Sequence, residues 1–360
     1  MSEWKKVKLG EILDFFNGKA IKVGEGSIPI YGSNGIIGNT NQSLYCNAII
    51  IGRVGAYCGS VAFCNKDFWA SDNTIVVKPK DDNNIPFCYY LLSTMDLNRF
   101  AGGAAQPLLT QTTLKSLETF FPSVTTQHRI ATILSRYDTL IENYQKQIRL
   151  LEEAAQRLYK EWFVELRFPG HENTKMVDGL PEGWERKPVD SIYSIKYGKN
   201  LSTKLISENG EYPVYGANGV IGYYDKANCH EQVVLITSRG NGSGDVLMTY
   251  HKDAFITNNS FVVTPMEEYR HCQMTFTYHF LKSANFRSVR TGAAQPQLTN
   301  QSIHTVDVLL PSQELIVEFC KKTKHNNELI ISAKNQIRLL TEARDRMLPR
   351  LMGGEMEVIN

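Results

Sequence analysis

No run of this sequence is apolar for long enough to cross a bilayer. The stretch 48–51 is typical, and it falls far short of the roughly 20 residues a spanning helix needs. The opening Met1-Ser2-Glu3-Trp4-Lys5-Lys6 has no apolar segment behind it, so no secretory leader is expected and the reading is cytoplasmic. Seven cysteines are present, with no C-x-x-C pair and no histidines at zinc-ligand spacing, which argues for reduced thiols and against a metal site. There is no G-x-x-x-x-G-K-[ST] phosphate loop and therefore no sign of a nucleotide-driven motor. The eight histidines form no H-E-x-x-H frame, no Asn-Pro-Pro-aromatic loop marks an amino-methyltransferase, and no carboxylate pair suggests a nuclease. Gly240-Asn241-Gly242-Ser243-Gly244 is glycine-rich but is followed by no helix-start pattern, so it reads as a turn or flexible loop. No catalytic residue is expected. A formal charge of +2 decides little, since a DNA binder can gather its positive charge on one face.

What the sequence does contain, it contains twice. Pro29-Ile30-Tyr31-Gly32-Ser33-Asn34-Gly35 returns as Pro213-Val214-Tyr215-Gly216-Ala217-Asn218-Gly219. Asn73-Thr74-Ile75-Val76-Val77 returns as Asn259-Ser260-Phe261-Val262-Val263. Gly103-Ala104-Ala105-Gln106-Pro107 returns as Gly292-Ala293-Ala294-Gln295-Pro296, and Gln147-Ile148-Arg149-Leu150-Leu151 as Gln336-Ile337-Arg338-Leu339-Leu340. The order is kept while the offset drifts from 184 (Tyr31 to Tyr215) to 189 (Pro107 to Pro296), as small loop insertions would produce. A period near half the chain means one duplicated unit and not a solenoid.

Each copy has two parts. The first (1–122 and 184–311) is rich in glycine, asparagine and β-branched residues. Strand-like pieces fall at 48–52, 74–77, 233–237 and 261–264, and helical ones at 86–100 and 272–289. The second part (123–167 and 312–352) is heptad-like. Ile130, Leu134, Tyr137, Ile141, Tyr144, Ile148, Leu151, Ala155, Leu158 and Trp162 step by four and three, and no proline or glycine interrupts 124–166. About forty residues at 1.5 Å each give a rod of roughly 60 Å. The second seam is rougher: Phe319, Thr323, Asn326, Ile330, Ala333, Ile337, Leu340, Arg344, Met347, Leu351. Its polar members suit a seam matched to a partner, most simply the first rod packed antiparallel. The expected architecture is α+β. Two mixed α/β heads are joined by two long helices in an antiparallel coiled coil with pseudo-twofold symmetry, and 168–183 is an irregular linker.

A head closing on G-A-A-Q-P-x-L-T, then a heptad helix, then the same pair again, resembles the specificity subunits of type I restriction-modification systems. Trp4 through Ile12 is similar to that family's usual start. Trp162-Phe163-Val164-Glu165-Leu166-Arg167-Phe168-Pro169 is similar to the usual end of its central helix, and the likeness covers nearly the whole chain. The resemblance implies two target-recognition domains, each reading one half of a bipartite, asymmetric site in double-stranded DNA. It implies helices that set the spacer and dock two DNA-methylation subunits, and restriction subunits that join for cleavage. S-adenosylmethionine, and ATP with magnesium, would be bound on those other subunits, and this chain would hold no cofactor. Two rival readings remain: the recognition part of a fused restriction-methylation enzyme, and a coiled-coil scaffold that binds only proteins.

Candidate DNA contacts follow from residue type. Ser33, Asn34 and Asn218 sit on Y-G-x-N-G turns. Asn-Gly is also the strongest short hairpin signal, and a turn shared by heads with different half-sites suits structure or backbone contact better than base readout. Arg53 and Arg239 each follow a strand and precede glycines, where a guanidinium can reach guanine or phosphate; the match between their loops is loose. Tyr57, Asn241 and Ser243 share those loops. Lys19, Lys22, Lys199 and Lys204 can neutralise phosphates. Gln106 and Gln295, identical in both heads, favour a structural role. For the seam or for contact with a methylation subunit the candidates are Ile141, Ile148, Leu151, Leu158, Trp162, Phe163, Ile330, Ile337, Leu340 and Met347; Trp162, Phe163 and Ile337 suit coil core better than partner surface, with Phe163 the one of them that could also face a methylation subunit.

Overall fold

The computed structural model describes residues 4–103, 106–292 and 295–356. It divides into two compact units, 1–143 with 336–360 and 144–335. The helix Val124–Tyr159 and the helix Gln313–Met352 each contribute one half to either unit.

In the first unit six strands form one sheet in the order Leu13–Asn17, Thr74–Pro79, Tyr45–Gly52, Val61–Ala70, Ile28–Gly32, Gly35–Thr40. All pairings are antiparallel except that of Ile28–Gly32 with Val61–Ala70. The strand-like run 48–52 is buried throughout because both faces of the sheet are covered. Ile49 and Ile51 join the larger core with Ile75, Val77 and the helix Ile85–Thr94. Ala48 and Ile50, one residue out of phase, join a smaller core with Phe68 and Val76. Fully burying side chains of this size gains about 1.5–3 kcal/mol each, which outweighs the absence of a polar face.

The second unit repeats the plan in two pieces. Tyr193–Tyr197, Ser260–Pro265, Val234–Thr237 and Val246–Met248 form one sheet, and Gly219–Tyr224, Tyr212–Gly216 and Phe255–Ile256 another. The 10-residue strand Val61–Ala70 of the first unit has become two short strands, with 249–254 between them. The alternation persists: Val234 and Ile236 face the large core, and Leu235 the small one.

Each unit also contains its share of both long helices, running antiparallel. In the first, Ile130, Ala131 and Leu134 pack with Leu351 and Met352, and Tyr137 donates to the Met347 sulfur at 3.8 Å. In the second, Tyr159, Trp162 and Phe163 pack with Phe319, the Phe163 and Phe319 rings 5.4 Å apart. The polar seam residues are answered locally. Thr323 bonds the Phe319 carbonyl at 2.9 Å, and Arg344 pairs with Asp138 at 2.6 Å.

Three expectations are corrected. The first rod is not uniformly α-helical: after Tyr159 it widens to a π turn over Lys160–Val164, with the Glu165 amide bonded to the Lys160 carbonyl at 2.8 Å. Trp162 and Phe163 on that turn lie in the second unit's aromatic core, so Phe163 has no face left for a partner; the exposed apolar residue of the turn is Val164, 56% accessible. The segment 168–183 is not irregular throughout. It anchors Phe168 against Trp184 and carries a small hairpin, Met176–Val177 with Leu180–Pro181. Of the remaining seam candidates, Ile141 and Ile330 are buried, while Ile148, Leu151, Leu158, Ile337, Leu340 and Met347 are half-buried.

Candidate nucleic-acid interface

In each unit the Y-G-x-N-G hairpin is tied to the loop that carries the candidate arginine. The Ser33 hydroxyl donates to the Asn73 carbonyl at 2.7 Å and accepts from the Val54 amide at 3.4 Å. The Ser33 carbonyl takes a bond from the Ser60 hydroxyl at 2.6 Å. In the second unit the equivalent carbonyl, Ala217, is bonded by the Thr237 hydroxyl at 2.7 Å. Ser33 is therefore occupied inside the fold, and Asn34 and Asn218 at the hairpin tips are exposed. The motif tyrosines point inward. Burial pushes the Tyr31 phenol up to about 12 and also raises that of Tyr215, whose hydroxyl meets His251 Nδ1 at 2.9 Å.

Backbone bonds fix which loop residues correspond. The Arg53 amide donates to the Asn73 carbonyl and its carbonyl accepts from Leu109; Ser238 does the same with Asn259 and Leu298. Arg53 thus matches Ser238, and Arg239 matches Val54. The two arginines are one position out of phase, and alternation along an extended chain turns them to opposite faces. Arg53 is half-buried and Arg239 exposed. Tyr57, 60% exposed, stands on the turn Gly55–Tyr57, and Asn241 is exposed on the corresponding turn. Ser243 leaves the candidate set: it is buried, and its hydroxyl bonds the Ser238 carbonyl at 3.3 Å, the place taken in the first unit by the Cys58 thiol on the Arg53 carbonyl at 3.2 Å.

Lys19, Lys22, Lys199 and Lys204 are all exposed. Lys19 and Lys199 are true counterparts, their amides bonded to the Ala70 and Ile256 carbonyls. Gln106 and Gln295 are exposed on a turn whose shape is set by its glycine. Gly103 has φ +97°, and a Cβ there would stand 2.6 Å from the Gln106 carbonyl oxygen. Gly292, with φ +84°, would meet Gln295 in the same way. The motif's Ala104, Ala105, Ala293 and Ala294 lie outside the described residues.

Beside each loop opens a cleft that the sequence did not announce. The first, about 700 Å³, is lined by Tyr57, Ser60, Tyr89, Asp96 and Asn98. The second, about 630 Å³, is lined by Asp245, Tyr278, Lys282 and Arg287. Where the first has Ser60 and Asn98, the second has Asp245 and Arg287, paired at 2.5 Å. Arg290, two residues before the shared Gly292, carries no sequence signal beyond its place beside that motif.

A family model described as the type I restriction modification DNA specificity domain matches residues 1–153 and 181–339. The chain belongs to the type I restriction-modification DNA specificity family. Among curated relatives it is 27% identical to the type I restriction enzyme MjaIX specificity subunit of Methanocaldococcus jannaschii, over 83% of this chain and 76% of that protein. It is 33% identical to the EcoprrI specificity subunit of Escherichia coli over 42% of this chain and 40% of that one. The crystal structure of the type I S subunit from M. genitalium has a similar fold, with a TM-score of 0.62 at 22% identity, covering 97% of this chain and 96% of that one. Recognition of DNA sequence follows from family membership. No helix among the described residues is long and apolar enough to cross a membrane.

Proposed function

We propose that this specificity-family chain reads a bipartite, asymmetric DNA site, one half through each head. On this reading the recognition domains are 1–122 and 184–311. The helices at 123–167 and 312–352 form an antiparallel coiled coil with pseudo-twofold symmetry that sets the unread spacer and docks two DNA-methylation subunits. Those subunits bring S-adenosylmethionine, restriction subunits bring ATP and magnesium, and this chain performs no chemistry. One observation carries the reading. The two heads share their backbone bonding at the loop, hairpin and cleft, while the side chains presented there differ: Val54 against Arg239, Ser60 against Asp245, Asn98 against Arg287. A common frame with exchanged polar groups suits two half-sites of different sequence.

The test is co-expression with the neighbouring methylation subunit and sequencing of methylated adenines in host DNA. New methylation at a split, non-palindromic motif is expected. A stable complex without new methylation removes the recognition role, and absence of any complex favours the scaffold reading.

A further inference from the structure

In the first unit three short extended stretches lie side by side. Val54 opposes Leu108, and Leu108 opposes Gly102, both antiparallel. The adjoining row therefore runs Arg53, Leu109, Ala101, with its side chains on one face. In the second unit Arg239 opposes Gln297 and Gln297 opposes Thr291, so the same row runs Ser238, Leu298, Arg290. Each row holds a single arginine, and the two arginines enter from opposite ends. The central leucines, Leu109 and Leu298, are buried in their respective cores and fix the rows to the heads.

These arginines share a second property. Nε of Arg53, and Nε and Nη2 of Arg290, are sealed from solvent without a hydrogen-bond partner. They are the only cationic side chains among the described residues to leave buried donors unanswered. Nearby Arg287 has Asp245, and Arg344 has Asp138. A guanidinium N–H that is desolvated and left without an acceptor is costly, and an anionic oxygen that accepts from it and from a neighbouring N–H in a forked geometry removes that cost. The charge keeps its row while changing strand, and it is common to heads whose other polar groups differ. A shared feature suits what every duplex shares, the phosphate backbone, and not a particular base.

We propose that Arg53 and Arg290 are counterpart phosphate clamps, one per head, and that Arg290 rather than Arg239 is the functional equivalent of Arg53. The assignment rests on the DNA-reading function proposed above. The test uses the full chain assembled with its methylation subunits and a labelled duplex carrying the mapped site, titrated over a series of KCl concentrations. Arg53→Ala or Arg290→Ala should weaken binding roughly tenfold or more. The slope of log K against log salt should flatten by about one. The loss should be equal on the mapped site and on single-base variants of it. Arg53→Lys should keep the slope while losing affinity, because it keeps the charge and loses the fork. Arg53→Ser combined with Ala101→Arg, which rebuilds the second unit's row in the first, should restore both affinity and slope.

A thermal melt of each variant checks that the head is folded, and the lysine and double variants carry the test if Arg53→Ala is not. A loss confined to one base pair with the slope unchanged overturns the phosphate assignment in favour of base readout. Unchanged binding, or failure of the double variant to recover, overturns it outright. If the wild-type complex binds no duplex at all, the DNA reading falls and takes this assignment with it.

Discussion

Three equivalent positions, related by the 189-residue offset that links Gln147 to Gln336, are filled in opposite ways in the two units. In the first, the Tyr90 hydroxyl donates to Asp138 at 2.5 Å, and Asp138 also takes Arg344 at 2.6 Å. Burial, the largest cause, together with the Asp138 carboxylate raises the Tyr90 phenol well above its ordinary value. In the second unit the same places hold His279, Asn327 and Ala155. There is no ion pair there: His279 stacks on Tyr159 at 5.8 Å, and Asn327 Oδ1 is buried with no partner. The difference continues along the helices, where Ile130 of the first unit corresponds to Phe319 of the second. One unit joins head to helices through a charged bridge beside Ile130 and Leu134; the other uses a cluster of rings around Phe319, most of them packed edge-on. After duplication, one backbone plan has been stabilised by two different chemistries. The hairpin latch shows the same thing. Ser60 supplies the hydroxyl in the first unit and Thr237 in the second, and Gly52, at the Thr237 position, must lack a side chain because a Cβ would stand 2.5 Å from the Tyr57 carbonyl oxygen.

That contrast can be broken at its strongest point first. Phe319→Ala removes the ring that touches Tyr159, Trp162, Phe163 and Phe276, and should cost the second unit about 3–5 kcal/mol. Urea unfolding followed by hydrogen exchange should show amides around Phe276 losing protection while those around Ile49 keep theirs. Equal loss in both units would mean that the aromatic core is not local to the second.

Next comes the charged bridge. Arg344→Met leaves Asp138 half-buried with Tyr90 alone, and should destabilise the first unit by roughly 2–3 kcal/mol. Rebuilding the bridge in the second unit, as His279→Tyr with Asn327→Asp and Ala155→Arg, should produce an interaction energy in a mutant cycle; strictly additive effects would show that the equivalence is only formal.

Acid should separate the units by a smaller margin. Burial, with Lys282 adding to it, lowers the His279 imidazole from 6.5 to about 4. The folded unit keeps this histidine neutral while the unfolded chain protonates near 6.5. The stability it contributes is therefore full above pH 6.5 and declines as pH falls toward 4, with about 2 kcal/mol gone at pH 5. His279→Phe should flatten the dependence of the second unit's urea midpoint between pH 7 and pH 5. An unchanged slope would assign the acid sensitivity elsewhere. The smallest effect is expected from Asn327→Leu, which removes the unanswered amide oxygen and should raise the second unit's melting midpoint by a few degrees at most.

The heptad spacing, the strand runs at 48–52 and 74–77, and the duplicated motifs were legible because each is a local pattern repeated in one chain. The pairing of candidate site residues was not. Arg53 and Arg239 look alike in sequence, each after a strand and before glycines, but only the backbone bonds of Asn73 and Asn259 reveal the one-residue shift between them. Ser243 looked available in a glycine-rich loop and is buried there. Phe163 reads from spacing alone as coil core or as a partner contact, and only its packing on the π turn at Lys160–Val164 decides for the core.

By itself, then, the sequence determined that the chain is one α+β unit used twice, where the long helices lie and which motifs recur, because periodicity and repetition are properties of neighbouring residues. Which side chains oppose one another across a ladder, which hydroxyl reaches a given carbonyl, and which guanidinium is left without an acceptor were decided only by the tertiary structure. Those relations join residues tens to hundreds of positions apart, and a shift of a single residue in register exchanges a buried face for an exposed one.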